Sequence, residues 1–116
     1  MNQLVETIVI ATNQNNKLLI EIYLKKAIKS LEDKKDLKIS KIVIFDIDPQ
    51  TFHDVPKKAE EFLQSPGTII ILTSAFYPNF LDEHENYNTL MQNQNVKFLR
   101  LPLSQLDIEN AIIYRF

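Results

Sequence analysis

The sequence predicts an α/β fold of three layers, in which a parallel sheet of four or five strands lies between two layers of helices. Apolar segments alternate along the chain with segments of helical periodicity, an order typical of parallel sheets with helices on both faces. Two of the apolar segments, 42–45 and 69–72, contain four consecutive apolar residues. Strands that are covered on both faces have this composition.

The first half of the chain is predicted to form two strand–helix units. Residues 4–11 are an apolar strand, and residues 17–31 follow as a helix because apolar side chains recur there at helical spacing. Residues 41–46 form the second strand. A second helix begins near Pro56, whose missing N–H suits a first helical turn, and continues to about residue 64.

The second half repeats this order. Residues 68–73 form the third strand, and a weaker helix is predicted over 82–94. Residues 96–101 alternate apolar with basic side chains, as a half-exposed edge strand does. Ser104 and Asp107 are spaced as a capping box for a final helix.

Composition narrows the functional classes. The 116 residues fit one domain, 1–116, and a net charge of −2 gives no general attraction to nucleic acid. The absence of cysteine excludes disulfides, thiolate catalysis and cysteine zinc sites. Gly67 is the single glycine, which excludes a glycine-rich phosphate loop. With no secretion signal and no apolar run long enough for a bilayer, a cytoplasmic protein without membrane contact is expected.

Polar residues are concentrated where the predicted strands end. Sites in open parallel sheets form at the carboxyl ends of the strands, so these residues are expected to share one edge. The candidate pocket residues at that edge are Thr12, Asn13, Asp46, Asp48, Thr73 and Leu101.

Three motifs at this edge give the chain a resemblance to a known family. They are Ile-Phe-Asp-Ile-Asp-Pro around Asp46, Ile-Leu-Thr-Ser-Ala around Thr73, and Phe-Leu-Arg-Leu-Pro-Leu-Ser around Leu101. Together they resemble the receiver domain of response regulators, which has a flavodoxin-like fold. The resemblance implies that Asp46 occupies the phosphate-acceptor position and Thr73 the position of the switch hydroxyl.

The remaining positions depart from the family pattern. Thr12 and Asn13 lie where receivers have paired acids that hold magnesium, and Leu101 lies where they have a lysine. Phe98 matches the switch aromatic. Neutral oxygens are poor magnesium ligands, and leucine cannot pair with a phosphoryl oxygen. The resemblance therefore implies a degenerate receiver, or pseudo-receiver.

The function expected from this resemblance is non-catalytic. A bacterial signalling or regulatory module would bind a protein partner without phosphorylation, cofactor or metal, and the family also forms homodimers. The expected contact face is the one that switches in receivers, with Phe98, Arg100 and Tyr114.

Four alternatives remain open. The chain could be an active receiver phosphorylated on Asp46, with Asp48 or Asn13 helping to hold magnesium. The chain could also be a small phosphohydrolase, because the Asp-x-Asp motif of Asp46 and Asp48 occurs in that class of enzyme. In a rival alignment, Thr73 takes the acceptor position and Asp46 falls on the second strand. The stretch between Asn13 and Asp46 is also too short for the full family pattern, so either one strand–helix unit is missing or the first helix hides a short strand.

Overall fold

The structure, a computed structural model, describes residues 5–32, 38–75 and 84–113. Strands and helices alternate throughout, as predicted. The elements are β1 (Glu6–Ile10), α1 (Gln14–Leu31), β2 (Lys41–Asp46), α2 (Val55–Leu63), β3 (Thr68–Ser74), α3 (Glu85–Met91), β4 (Val96–Arg100) and α4 (Gln105–Ile113).

The four strands form one parallel sheet in sequential order. β2 and β3 are the central strands, and β1 and β4 are the edges. The whole of β3 is buried, and so is β2 after Lys41. This burial agrees with their continuous apolar sequences and confirms the predicted parallel sheet. The predicted edge position of β4 is also confirmed.

Side-chain alternation in the central strands produces two separate cores. Successive side chains of a strand point to opposite faces, so each central strand supplies both cores. The first core lies under α1 and α4 and includes Ile42, Ile44, Ile69 and Ile71. The second lies under α2 and α3 and includes Val43, Phe45, Ile70 and Leu72. The fold is therefore a three-layer α/β/α arrangement compatible with a flavodoxin-like fold.

The distribution of the helices gives the first connection an unusual hand. All three strand-to-strand connections move across the sheet in the same direction, but α1 covers one face while α2 and α3 cover the other. The connection through α1 must therefore have the opposite hand to the two that follow. Since about 98% of such connections are right-handed, one of the opposite hand is rare. In the usual flavodoxin-like order, the second strand lies outside the first, which avoids this conflict.

Helix α1 begins three residues earlier than the sequence predicted. Asn13 is its N-cap, and its side chain accepts a hydrogen bond of 3.0 Å from the backbone N–H of Asn16. The helix then continues unbroken to Leu31, so it hides no strand. That excludes one of the two alternatives left open by the short stretch before β2.

The predicted capping box at the start of α4 is confirmed. The backbone N–H of Asp107 donates to the hydroxyl of Ser104 at 3.1 Å, and the N–H of Ser104 donates to the Asp107 carboxylate at 3.1 Å. In the described ranges, no helix is both long enough and apolar enough to cross a membrane.

Candidate functional site

The carboxyl ends of the strands bring the six predicted pocket residues to one edge of the sheet. The register pairs Asp46 with Thr73, and Thr73 in turn with Leu99. Thr12 and Asn13 lie between the end of β1 and the start of α1, and Leu101 follows β4 directly. We refer to this group as the edge site.

Asp46 is the buried acid of the edge site. It is only 8% exposed, and its side chain lies on the face covered by α1 and α4, like those of Ile42 and Ile44. The side-chain amide of Asn16 donates to its Oδ2 at 3.3 Å. Burial raises the pKa of this carboxyl and the charge of Asp48 adds to the rise, while the bond from Asn16 opposes it. Burial therefore shifts the protonation equilibrium of Asp46 towards the neutral acid.

Sequence reasoning did not identify Asn16 as a site residue. The sequence predicts a helix that begins only at residue 17, whereas Asn16 lies in the first turn of α1 and reaches Asp46 from there. Assigning the N-cap to Asn13 would have predicted this position, because an N-cap there places Asn16 in the first turn of a helix.

Asp48 is held by its own loop. Its Oδ1 accepts hydrogen bonds from the backbone N–H groups of Gln50 at 2.8 Å and Thr51 at 3.0 Å, and its Oδ2 accepts one from the hydroxyl of Thr12. The bond from Thr12 is the main cause of a lowered pKa, to which the bonds in the loop add. These contacts are those of a turn-forming aspartate.

Thr73 carries a buried hydroxyl without a hydrogen-bond partner in the described part of the chain. The residue is 0% exposed, and its side chain lies on the same face of the sheet as that of Asp46. A buried polar group without a hydrogen bond lowers the stability of the fold by about 1 to 3 kcal/mol. The neighbouring Thr68 of β3, by contrast, donates to the carbonyl of Ser65 at 2.9 Å.

The other edge-site residues offer little to a metal or phosphate. The side-chain oxygen of Asn13 caps α1, and Leu101 packs against the first core while its N–H donates to the carbonyl of Ser74 at 3.0 Å. Both carboxylate oxygens of Asp48 accept bonds from protein groups. Among the described residues, no three metal-binding side chains come together. Thr12, Asn13 and Leu101 therefore add no anionic oxygen to the carboxylates of Asp46 and Asp48, and the oxygens of Asp48 already accept hydrogen bonds within the protein.

The predicted contact face is only partly described. Phe98 is half-buried against the second core, and Arg100 is exposed at the end of β4. Both side chains lie on the face opposite to that of Thr73, because Phe98 pairs with Leu72 and Arg100 with Ser74. Tyr114 lies outside the described residues.

The structure also brings together three rings that the sequence did not connect. The Phe52 ring lies 3.9 Å from that of His53 and 5.2 Å from that of His84, and the two histidine rings are 6.3 Å apart, measured between centroids. The hydroxyl of Tyr87 donates to the carbonyl of Phe52 at 2.6 Å and so ties α3 to this loop. No sequence pattern links these positions, because their contact arises from the packing of α2 against α3.

Thr73→Val should leave the protein unchanged or make it more stable by about 1 kcal/mol, because valine keeps the shape of the side chain and removes the unpaired hydroxyl. Thr68→Val is the matched control, since it removes a hydrogen-bonded hydroxyl from the same strand and should cost about 1 kcal/mol. Urea unfolding measures both. A loss of stability in Thr73→Val as large as in Thr68→Val would contradict the unpaired state of the Thr73 hydroxyl.

Asp46→Asn should change stability in a pH-dependent way. Because the pKa of Asp46 is raised in the folded state, its contribution to stability is highest below the usual value of 3.8 and decreases as pH rises through the folded-state pKa. Asparagine does not ionise, so its contribution to stability does not decrease with pH. The free energy of unfolding of the variant relative to the parent should therefore increase from about pH 3 to about pH 7. Urea unfolding across that range tests it.

The control is Asp48→Asn, for which the opposite trend is expected. The pKa of Asp48 is lowered, so its ionised form stabilises the fold above the usual carboxyl pKa, and this is lost as pH falls. The relative stability of that variant should therefore decrease as pH rises. The same trend in both variants would show that the two carboxylates do not differ as described.

Comparisons of the chain with family models, with curated proteins and with solved structures give no match. The geometry of the edge site and of the sheet edges is therefore the basis for a functional proposal.

Proposed function

We propose that this chain is a degenerate receiver-like regulatory module, which acts by binding a protein partner and needs neither phosphorylation nor catalysis. The observation that carries the proposal is the burial of Asp46 together with the neutral donor that bonds to its carboxyl group. This residue takes the acceptor position in the resemblance to receivers, yet it is buried, and within the described ranges its side chain accepts one hydrogen bond, from the neutral amide of Asn16.

The chemistry of phosphoryl transfer supports this proposal. The reaction needs an ionised carboxylate and positive charge to neutralise the phosphoryl oxygens. Burial favours the protonated form of Asp46. Leu101 brings an apolar side chain to the position where a cation would be needed, and Arg100 points to the opposite face of the sheet.

The placement of Phe98 supports independence from phosphate. In receivers the switch hydroxyl and the switch aromatic act together, as the resemblance implies. Here Thr73 and Phe98 lie on opposite faces of the sheet, and Phe98 packs into the second core. A side chain fixed by core packing gives a constant surface instead of one that responds to a ligand at the edge site.

The binding face in this proposal is the β4 edge with Phe98 and Arg100; the resemblance to receivers adds Tyr114, which lies outside the described residues. An edge strand that displays a half-buried aromatic and an exposed arginine has the residue types that most often anchor protein interfaces. Action in the bacterial cytoplasm is part of the proposal and depends on the resemblance to receivers.

Incubation with a small acyl phosphate and magnesium should leave the intact mass of the protein unchanged. The reason is that the edge site places the apolar side chain of Leu101 where phosphoryl transfer needs a cation, and the neutral Thr12 and Asn13 where it needs metal-binding acids. Intact-mass spectrometry measures this, with Asp46→Asn as the matched variant and an active receiver as the positive control. A phosphate-sized gain in the parent that is absent from Asp46→Asn would replace our proposal with that of a working receiver.

Arg100→Glu should abolish capture of specific partners from an extract of the source cells, because it reverses the charge at the centre of the proposed face. Lys57→Glu makes the same change in charge on the exposed side of α2 and should leave capture intact. Quantitative mass spectrometry of the bound proteins measures both. Thermal unfolding of each variant verifies that the fold is kept. Partners that bind the parent and both variants equally would exclude the β4 edge as the contact face.

A further inference from the structure

The outer edge of β1 is open in the described part of the chain. β1 pairs with β2 on one side, and no described residue pairs with it on the other. Natural edge strands are protected by charged residues, proline or bulges. β1 has one charged residue, Glu6, which lies at its start and forms an ion pair of 3.7 Å with Lys41. The rest of the strand, Thr-Ile-Val-Ile, has none of these protective features.

A cleft runs between this open strand and α1. It has a volume of about 240 Å³, and its lining includes Thr7 and Val9 from the strand and Lys17, Glu21 and Lys25 from the helix. The helix also exposes large apolar side chains beside the cleft, with Leu18 57% exposed and Ile22 47% exposed. An open strand and an apolar helix surface are thus continuous on this side of the molecule.

The residues along this side of α1 form a pattern that is complementary to itself. Leu18, Glu21, Lys25 and Ile28 follow one another at spacings of three and four, so they lie in one stripe. The stripe has an apolar residue at each end and opposite charges inside. When two such helices pack antiparallel about the midpoint of the stripe, each Glu21 faces a Lys25 and each Leu18 faces an Ile28.

We propose that the occupant of this edge is a second copy of the chain. The two β1 strands pair antiparallel about a twofold axis, which joins the two sheets into one of eight strands. The two α1 helices then lie side by side with the Glu21–Lys25 pair formed twice. One axis can serve both contacts because Thr7, Val9 and Glu21 line the same cleft. A twofold interface requires a self-complementary surface, which this stripe provides.

This inference goes beyond the proposed function and does not depend on it. The β4 edge and the β1 edge lie at opposite ends of the sheet. A partner at β4 and a second copy at β1 therefore use different surfaces, and each can be tested while the other is left intact.

The test is a charge exchange followed by sedimentation velocity over a range of protein concentrations. The parent should form a dimer at micromolar concentration. Glu21→Lys or Lys25→Glu alone places like charges opposite each other twice and should weaken the dimer about tenfold or more. The double variant Glu21→Lys/Lys25→Glu restores two opposite-charge pairs and should recover most of the affinity. Lys26→Glu, an exposed position on α1 that does not line the cleft, should dimerise like the parent.

Hydrogen exchange provides a second measurement that does not depend on variants. The outward amides of Thr7 to Ile10 should become more protected as the concentration increases, because the strand pairing forms only in the dimer. A parent that stays monomeric at every concentration would overturn the proposal, and so would a double variant no better than the single ones. Protection of β1 at all concentrations in a monomer would mean that another part of the chain covers the strand, and this too would overturn it.

Discussion

The rest of the structure depends on the burial of β2 and β3 on both faces. Each central strand carries apolar side chains on both sides, so neither face of the sheet can be left to solvent. Two pairs of helices are then required, α1 with α4 and α2 with α3. With β2 and β3 at the centre of the sheet and α1 and α2 on opposite faces, the first connection takes the opposite hand to the others. The usual flavodoxin-like order would cover both faces with one hand of connection, but it would move β2 to the edge of the sheet.

The alternation of side chains between the two faces of the sheet determines what the edge site can do. It directs Asp46 and Thr73 towards the layer of α1 and α4, and Phe98 and Arg100 towards the layer of α2 and α3. The acid that a receiver would phosphorylate and the aromatic that would respond are therefore separated by the sheet. Asp46 is thus a buried acid with a neutral hydrogen-bond donor, and the hydroxyl of Thr73 has no hydrogen-bond partner among the described residues.

The sequence was sufficient for the order of the elements, the central position of β2 and β3 and the capping box, because each is set by local pattern. The six edge-site residues could be placed together for a related reason: parallel strands end at a common edge. The contact of Asn16 with Asp46 was missed because it depends on where α1 begins. The grouping of Phe52, His53 and His84 was missed because it depends on tertiary packing. The edge position of β1, which no described residue covers, was missed as well, because strand order is a long-range property that no local pattern reports.

The two edges of the sheet differ in a way that connects the proposals. β4 carries Lys97 and Arg100, and such charges discourage pairing with another strand. β1 carries no charge beyond Glu6, so its backbone is suited to pairing with a strand. If β1 joins two copies, both β4 edges remain at the outer ends of the joined sheet. The dimer would then present two identical faces, and a partner with two linked binding sites would meet the second face at a raised effective concentration.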